Sequence, residues 1–118
     1  GSQFTPGKNF YHSGSFGPWL VTADEIPDPT RLTLKTRLNG QTMQTALISD
    51  LRFGIGELME YCSTFSRLRP GDVISTGTTG GVGFARKPPV WMEPGDVIEV
   101  EISGIGVLRN AIVDEADR

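Results

Sequence analysis

A glycine-rich stretch at residues 77–83 (GTTGGVG) constrains this chain most, because it directly follows a short apolar run that ends at Ser75 and Thr76. Four of its seven residues are glycines. Glycine tolerates positive φ and lets the backbone approach a ligand closely, so such a loop can direct bare N–H groups and threonine hydroxyls into a pocket. The stretch predicts either an oxyanion-binding loop or, more simply, a tight turn between two strands.

Length and charge narrow the class of protein. A chain of 118 residues forms one domain at most, and folding should bury about two thirds of the surface that the extended chain exposes. The formal net charge is −3 and the basic residues are dispersed, which disfavours nucleic-acid binding. Without an apolar segment of membrane-spanning length or a signal-peptide pattern, we expect a soluble, cytoplasmic protein with no membrane partner.

Cysteine and histidine are each present once. One cysteine cannot form an internal disulfide, and this pair cannot form a zinc cluster, so any metal would be a hard cation bound by oxygen. Gly1 and Ser2 resemble a remnant of an expression vector, in which case the native residues upstream of Gln3 are missing.

Glycine and proline punctuation predicts a mostly β architecture, with 15 glycines and eight prolines between short apolar segments. Leucines alternate with polar residues over 32–38, and Asn39-Gly40 is typical of a two-residue hairpin turn, with a return strand over about 41–48. The sequence PGDVI occurs at 70–74 and again at 94–98. It indicates two similar turns, each leading into a strand; the second strand should reach Ile102, and a last strand should cover 107–113.

One amphipathic helix is predicted near 55–67, since five apolar residues there share a face at helical spacing: Ile55, Leu58, Met59, Cys62 and Phe65. The helix should end before Pro70-Gly71. On this face Cys62 is interpreted as a small core residue rather than a nucleophile.

Several polar residues are candidates for chemistry. Glu99 and Glu101 could chelate a cation, but the alternation around them favours a solvated strand face. His12 lies in a polar loop where exposure is expected. Lys8 could be partly desolvated beside Phe10 and pair with a substrate carboxylate, or could be an ordinary surface lysine. A further pair, Arg86-Lys87, could form a basic rim for a second carboxylate, although a solvated loop is the simpler interpretation.

Five blocks, in this order and spacing, resemble the fumarylacetoacetate hydrolase superfamily over about residues 3–115: 5–10 (TPGKNF), 17–27 (GPWLVTADEIP), 70–83 (PGDVISTGTTGGVG), 87–90 (KPPV) and 104–110 (GIGVLRN). The resemblance implies a mixed β-sandwich roll with one main helix. It also implies hydrolysis, decarboxylation, isomerisation or hydration of 2-oxo and 2,4-dioxo acids, including 2-oxo-ene-dioates of aromatic catabolism, with Mg²⁺, Ca²⁺ or Mn²⁺ as cofactor.

The same resemblance assigns catalytic roles to Lys8 and Thr78, and substrate contacts to Lys8, Gly77, Thr78 and Thr79. The family's metal ligands, a Glu-x-Glu pair and a later Asp, lie upstream of the lysine motif and are not in this sequence. Residues 1–118 therefore resemble the C-terminal portion of a catalytic domain that holds no metal ligand of its own.

Three expectations follow for the isolated chain. It should be inactive, it should self-associate through apolar surface that other residues would cover, and the complete enzyme should form a homodimer or pair this chain with a separate N-terminal half. The alternative is a non-catalytic, β-rich binding or assembly module in which the glycine stretch is only a turn.

Overall fold

The computed structural model describes residues 4–117, without the side chains of Phe4 and Pro6. The vector remnant predicted at Gly1-Ser2 lies outside the described residues. Regular structure in the described part consists of α1 (Phe4–Gly7), β1 (Thr33–Leu38), β2 (Gln41–Leu47), α2 (Ile55–Ser63), β3 (Val97–Ile102) and β4 (Gly106–Ala111). The predicted mostly β class with one main helix is confirmed.

The four strands form one antiparallel sheet in the order β2-β1-β3-β4. Strand β1 is central because it pairs with its hairpin partner β2 on one side and with β3 on the other. Within this register Leu38 lies opposite both Gln41 and Ile98. The sheet thus joins the hairpin over 33–47 to the hairpin over 97–111, two segments that are distant in sequence.

The turn between β1 and β2 has the conformation that its sequence predicts. Asn39 and Gly40 both have positive φ, 51° and 80°, which is the requirement of the tight hairpin turn. The Asn39 side chain also links the two hairpins, since its Nδ2 donates to Asp96 Oδ1 at 2.8 Å and its Oδ1 accepts from the Val97 N–H at 2.9 Å. The turn residue therefore also fixes the start of β3.

The two PGDVI segments form the same turn. Gly71 and Gly95 have φ of 96° and 95°, and the carboxylates of Asp72 and Asp96 each accept a backbone N–H three residues earlier at 2.8 Å. Only the second turn leads into a strand, β3. The strand predicted after the first turn is wrong: residues 72–79 join no ladder in the described part of the chain.

Helix α2 ends at Ser63, earlier than the predicted end near residue 67. The hydroxyl groups of Ser63 and Thr64 donate to the carbonyl oxygens three residues before them, each at 2.7 Å. The Thr64 N–H also bonds to the third residue back, Tyr61, at 3.1 Å. These short-range bonds tighten the last turn, and beyond it the Ser66 N–H bonds to the Cys62 carbonyl, four residues back, at 3.0 Å. Strand β4 likewise ends at Ala111 rather than Val113, since the backbone of Ile112 bonds to the 93–96 turn.

The predicted core is not formed by this chain. No described residue is buried, and large apolar side chains such as Phe65 (70%) and Trp91 (67%) are mostly exposed. The accessible surface is 9641 Å², whereas about 6,300 Å² is expected for a folded monomer of this mass. Folding therefore buries only about half of the extended-chain surface rather than two thirds. Even Cys62 and the residues of β3 are only half-buried, without the predicted in-and-out alternation.

No helix within residues 4–117 is long and apolar enough to cross a membrane.

Acid should weaken the link between the two hairpins. Hydrogen bonds from Asn39 and from the Glu93 N–H lower the pKa of Asp96 in the folded chain. The contribution of the Asp96 carboxylate to the free energy of unfolding is therefore fully present above the unfolded-state pKa, and it is lost as pH falls through the lower folded-state pKa. We expect thermal unfolding of Asp96→Asn to depend less on pH below about 4 than that of the wild type. Asp72→Asn, in the equivalent turn that lacks an asparagine partner, is the control. An unchanged acid dependence in Asp96→Asn would contradict this assignment.

Candidate functional site

A cleft of about 910 Å³ lies between the β1–β2 hairpin and residues 76–83. This segment, which contains the glycine-rich stretch 77–83, is called the glycine loop below. Lys8, Gly77 and Thr78 all line it, together with Thr36 and Gln44 from the hairpin. Much of the remaining wall is apolar, made by Leu38, Met43, Val82, Phe84, Val90, Trp91, Met92 and Ile98. Of the described residues in the lining, only Lys8 is charged, so the cleft suits a small anion that carries a carbon chain.

The glycine loop packs too closely for side chains at two of its positions. A Cβ at Gly81 would lie 2.6 Å from the Met43 carbonyl oxygen, and one at Gly83 would lie 2.1 Å from that of Val90. Gly77 and Gly81 also have positive φ, 105° and 96°. The left-handed backbone expected of this stretch is present, and the close approach that glycine permits is here to the carbonyl oxygens of Met43 and Val90.

A β-bulge in the hairpin receives the loop. Thr36 lies opposite Gln44 and Arg37 lies opposite Thr42, so Met43 has no partner in β1. The Met43 carbonyl oxygen instead accepts a hydrogen bond from Arg86 Nη2. Because Arg86 Nε also donates to the Gly81 carbonyl at 3.1 Å, one guanidinium ties the bulge to the loop.

The side chain of Gln44 reaches into the loop from the same strand. Its Nε2 lies 3.2 Å from Thr78 Oγ1, 3.0 Å from the Thr79 carbonyl oxygen, 3.2 Å from Thr79 Oγ1 and 3.4 Å from the Gly80 carbonyl oxygen. The Thr78 hydroxyl is thus held at the mouth of the cleft by a group from the sheet.

The loop separates this cleft from a second one of about 610 Å³, formed with residues 45–53 and Leu58. Gly77 and Thr78 line both clefts, whereas Thr79 lines only the second. The structure therefore brings three of the four predicted site residues together in the cleft of Lys8 and places Thr79 on the other side of the loop, half-buried against Gln44.

Lys8 lies in the turn that follows α1, where its N–H donates to the Thr5 carbonyl at 3.2 Å. Its side chain is exposed, and so is Phe10. The partial desolvation predicted for this lysine is not present in this chain. An exposed ammonium group is free to pair with an anion in the cleft.

The other candidates lie away from the cleft. Glu101 pairs with Arg37 and Glu99 with Arg109, so the two glutamates form cross-strand ion pairs. The hydrogen bond from Arg37 lowers the pKa of Glu101. His12 is exposed beside the Tyr11 ring. Within residues 4–117, no group of three or more His, Cys, Asp or Glu side chains is arranged to hold a metal ion.

Two residues with evident structural roles at the site were not predicted. Gln44 appears in the sequence only as one polar residue of an alternating strand, and the bulge that places it leaves no sequence signal. Arg86 is half-buried, and it forms neither the basic rim nor the solvated loop considered for Arg86-Lys87. Only the structure reveals the backbone oxygens that it binds.

Comparison with known proteins identifies the class of domain. The family described as fumarylacetoacetate (FAA) hydrolase C-terminal matches residues 2–113. A fumarylacetoacetate hydrolase from Exiguobacterium antarcticum has 39% identity and a TM-score of 0.91, over 96% of this chain and 40% of that one. A maleylpyruvate hydrolase from Sphingobium sp. SYK-6, solved with manganese(II) and pyruvate, has 37% identity and a TM-score of 0.73, over 82% and 34%.

A mitochondrial oxaloacetate tautomerase of Bos taurus is 42% identical over 113 residues, which is 96% of this chain and 36% of the relative. The chain therefore belongs to the fumarylacetoacetate hydrolase family, a family of enzymes that includes hydrolases, isomerases and tautomerases. It spans well under half the length of the curated relatives that it matches.

The close approach of loop and bulge predicts that position 81 tolerates only glycine. Gly81→Ala would place a methyl group against the Met43 carbonyl at a positive φ, and we expect it to lower the free energy of unfolding by about 1–3 kcal/mol. Gly80→Ala is the matched control, since a Cβ there meets nothing within 4 Å, and it should change stability by less than about 0.5 kcal/mol. Equal melting temperatures for the two variants would argue against this packing.

Proposed function

We propose that this chain forms the substrate-binding wall of the active site of a larger enzyme that acts on small 2-oxo or 2,4-dioxo acids. The observation that carries the proposal is the cleft shared by Lys8 and Thr78. A single cation in an otherwise uncharged and largely apolar lining fits an acid with a charged end and a carbon chain. Membership of the family supports the reaction class: hydrolysis or decarboxylation at a C–C bond, or isomerisation.

Each of the two residues has a distinct role in this proposal. The Lys8 ammonium group pairs with the substrate carboxylate and orients the acid in the cleft. The Thr78 hydroxyl donates a hydrogen bond to the 2-oxo oxygen, and the backbone N–H of Gly77, which lines the same cleft, contributes a further donor. The apolar wall holds the remainder of the carbon chain and excludes water from it.

One contact of this kind serves several reactions. Transfer of the C3 proton of a 2-oxo acid to a base, for which this proposal assigns no residue of this chain, moves an electron pair onto the 2-oxo oxygen and gives an enolate. Cleavage of the C3–C4 bond of a 2,4-dioxo acid hydrated at C4 leaves C4 as a carboxylic acid and delivers the electron pair of the bond to the same oxygen. A fixed donor beside that oxygen stabilises both transition states. The site therefore suits tautomerisation and C–C hydrolysis alike.

A divalent cation forms part of the proposal as a component bound by residues outside this chain. Mg²⁺ is the favoured ion, with Ca²⁺ and Mn²⁺ as alternatives, and oxygen ligands suit all three. Residues 4–117 offer no cluster of ligands for it. The roles proposed for Lys8 and Thr78 rest on the cleft that they share and on the family resemblance.

The exposed apolar surface supports an assembly with further polypeptide. Aromatic side chains such as Trp91 and Phe84 are each 67% exposed along the cleft, and the relatives are more than twice as long as this chain. We propose that the remainder of the domain, on the same or a separate polypeptide, covers this surface, and that the complete enzyme is a homodimer.

Replacement of either proposed contact should impair catalysis in the full-length enzyme. Thr78→Ala removes the donor to the developing oxyanion and Lys8→Ala removes the carboxylate partner, so we expect each to lower kcat/KM by on the order of 10²-fold. Steady-state assays of oxaloacetate tautomerisation and maleylpyruvate hydrolysis measure the effect. Thr78→Ser keeps a hydroxyl and should retain most of the activity.

Lys87→Ala is the matched control for Lys8, because Lys87 is also an exposed lysine but does not line the cleft. Its kinetics should equal those of the wild type. Unchanged turnover in both Lys8→Ala and Thr78→Ala would favour the non-catalytic module instead.

The isolated 118-residue chain should be catalytically inactive with added Mg²⁺, and it should self-associate. Both results are expected because residues 4–117 hold no cation-binding cluster and leave large aromatic side chains exposed. Assays with oxaloacetate, combined with sedimentation velocity, test this expectation. Turnover by a monomeric 118-residue chain would refute it.

A further inference from the structure

Gln44 makes a set of contacts that the proposed chemistry does not yet use. From its half-buried position in strand β2, the Gln44 amide nitrogen lies between 3.0 and 3.4 Å from four oxygen atoms of residues 78–80, which share its two N–H donors. No other side chain in the described part of the chain bonds to both Thr78 and Thr79. This concentration of contacts at a single amide points to a role in setting the geometry of the loop.

The chemistry of these oxygens fixes the orientation of the amide. Two of them are the carbonyl oxygens of Thr79 and Gly80, which can only accept hydrogen bonds. The nitrogen end of the Gln44 side chain must therefore face the loop. An amide nitrogen donates and does not accept, so the Thr78 hydroxyl oxygen can only be the acceptor in the contact at 3.2 Å.

This polarity has a consequence for the Thr78 proton. Since the Thr78 oxygen accepts from Gln44, its own O–H proton must point elsewhere. Within residues 4–117, the Thr78 hydroxyl makes no other hydrogen bond. We propose that Gln44 is a positioning residue that holds Thr78 as a hydrogen-bond donor towards an oxyanion in the cleft. This inference rests on the proposed function of Thr78.

The bulge makes the arrangement rigid. Gln44 directly follows Met43, whose carbonyl oxygen accepts from Arg86, and lies opposite Thr36 in β1. The strand can therefore neither slide nor twist freely beneath the loop. A donor that is held before substrate arrives need not reorganise during the reaction, which is the source of its catalytic effect.

A double-mutant cycle in the full-length enzyme tests the inference. Gln44→Glu keeps the length of the side chain, but its ionised carboxylate cannot donate and would accept the Thr78 proton. We expect kcat to fall by about 10- to 100-fold with a smaller change in KM. In a Thr78→Ala background the same change should have almost no further effect, because the group through which Gln44 acts is gone.

Two further variants complete the design. Gln41→Glu introduces the same charge at an exposed position of β2 and should leave the kinetics unchanged. Gln44→Met removes the donor without adding charge. If Gln44→Glu fails to fold, the double-mutant cycle is built from Gln44→Met and Thr78→Ala instead. Thermal unfolding of each variant separates a loss of fold from a loss of catalysis.

The outcomes separate this inference from the proposed function. A large loss in Thr78→Ala, followed by an equal additional loss on changing Gln44, would overturn the positioning role and leave the proposed function of Thr78 intact. A Thr78→Ala variant with wild-type activity would overturn that function and this inference with it. Non-additive losses support both.

Discussion

The contact between the glycine loop and the bulged hairpin organises everything else at this site. One extra residue in β2, Met43, frees a carbonyl oxygen from the ladder, and Arg86 binds that oxygen together with the carbonyl of Gly81. The same contact excludes a side chain at Gly81. The loop is therefore tied to the hairpin by the Arg86 side chain, which binds one backbone oxygen of each, and this places Thr78 beside the bulge.

The parts of the fold that local chemistry determines were predictable from the sequence. The Asn39-Gly40 turn requires positive φ at both residues, and each PGDVI turn requires it at its glycine. All four residues have positive φ. The strand expected after the PGDVI turn at 70–74 does not form. A strand needs a hydrogen-bonding partner, and the sequence of one segment does not reveal whether it has one. Helix α2 was placed correctly at its start but ends at Ser63, where the hydroxyl groups of Ser63 and Thr64 bond to carbonyl oxygens of the last turn.

The site itself was only partly predictable. Glycine spacing predicted either a ligand-binding loop or a tight turn, and the family resemblance joined Lys8 to Thr78. Gln44 and Arg86 could not be found in this way, because their contacts are with backbone oxygens that a bulge and a loop bring together across about 40 residues of sequence. The sequence also did not reveal that residues 4–117 bury no side chain fully. An amphipathic segment shows which of its faces is apolar, but not which element covers that face.

Strand β2 lies at the edge of the sheet. An edge strand exposes unpaired backbone groups that can recruit another chain, and natural proteins cover or distort such edges to prevent it. Here the distortion is the bulge at Met43 and the cover is the loop with Arg86. The same few bonds thus cover this edge against pairing with another chain and shape the cleft that Lys8 lines, so a substitution that freed the edge would also deform the cleft.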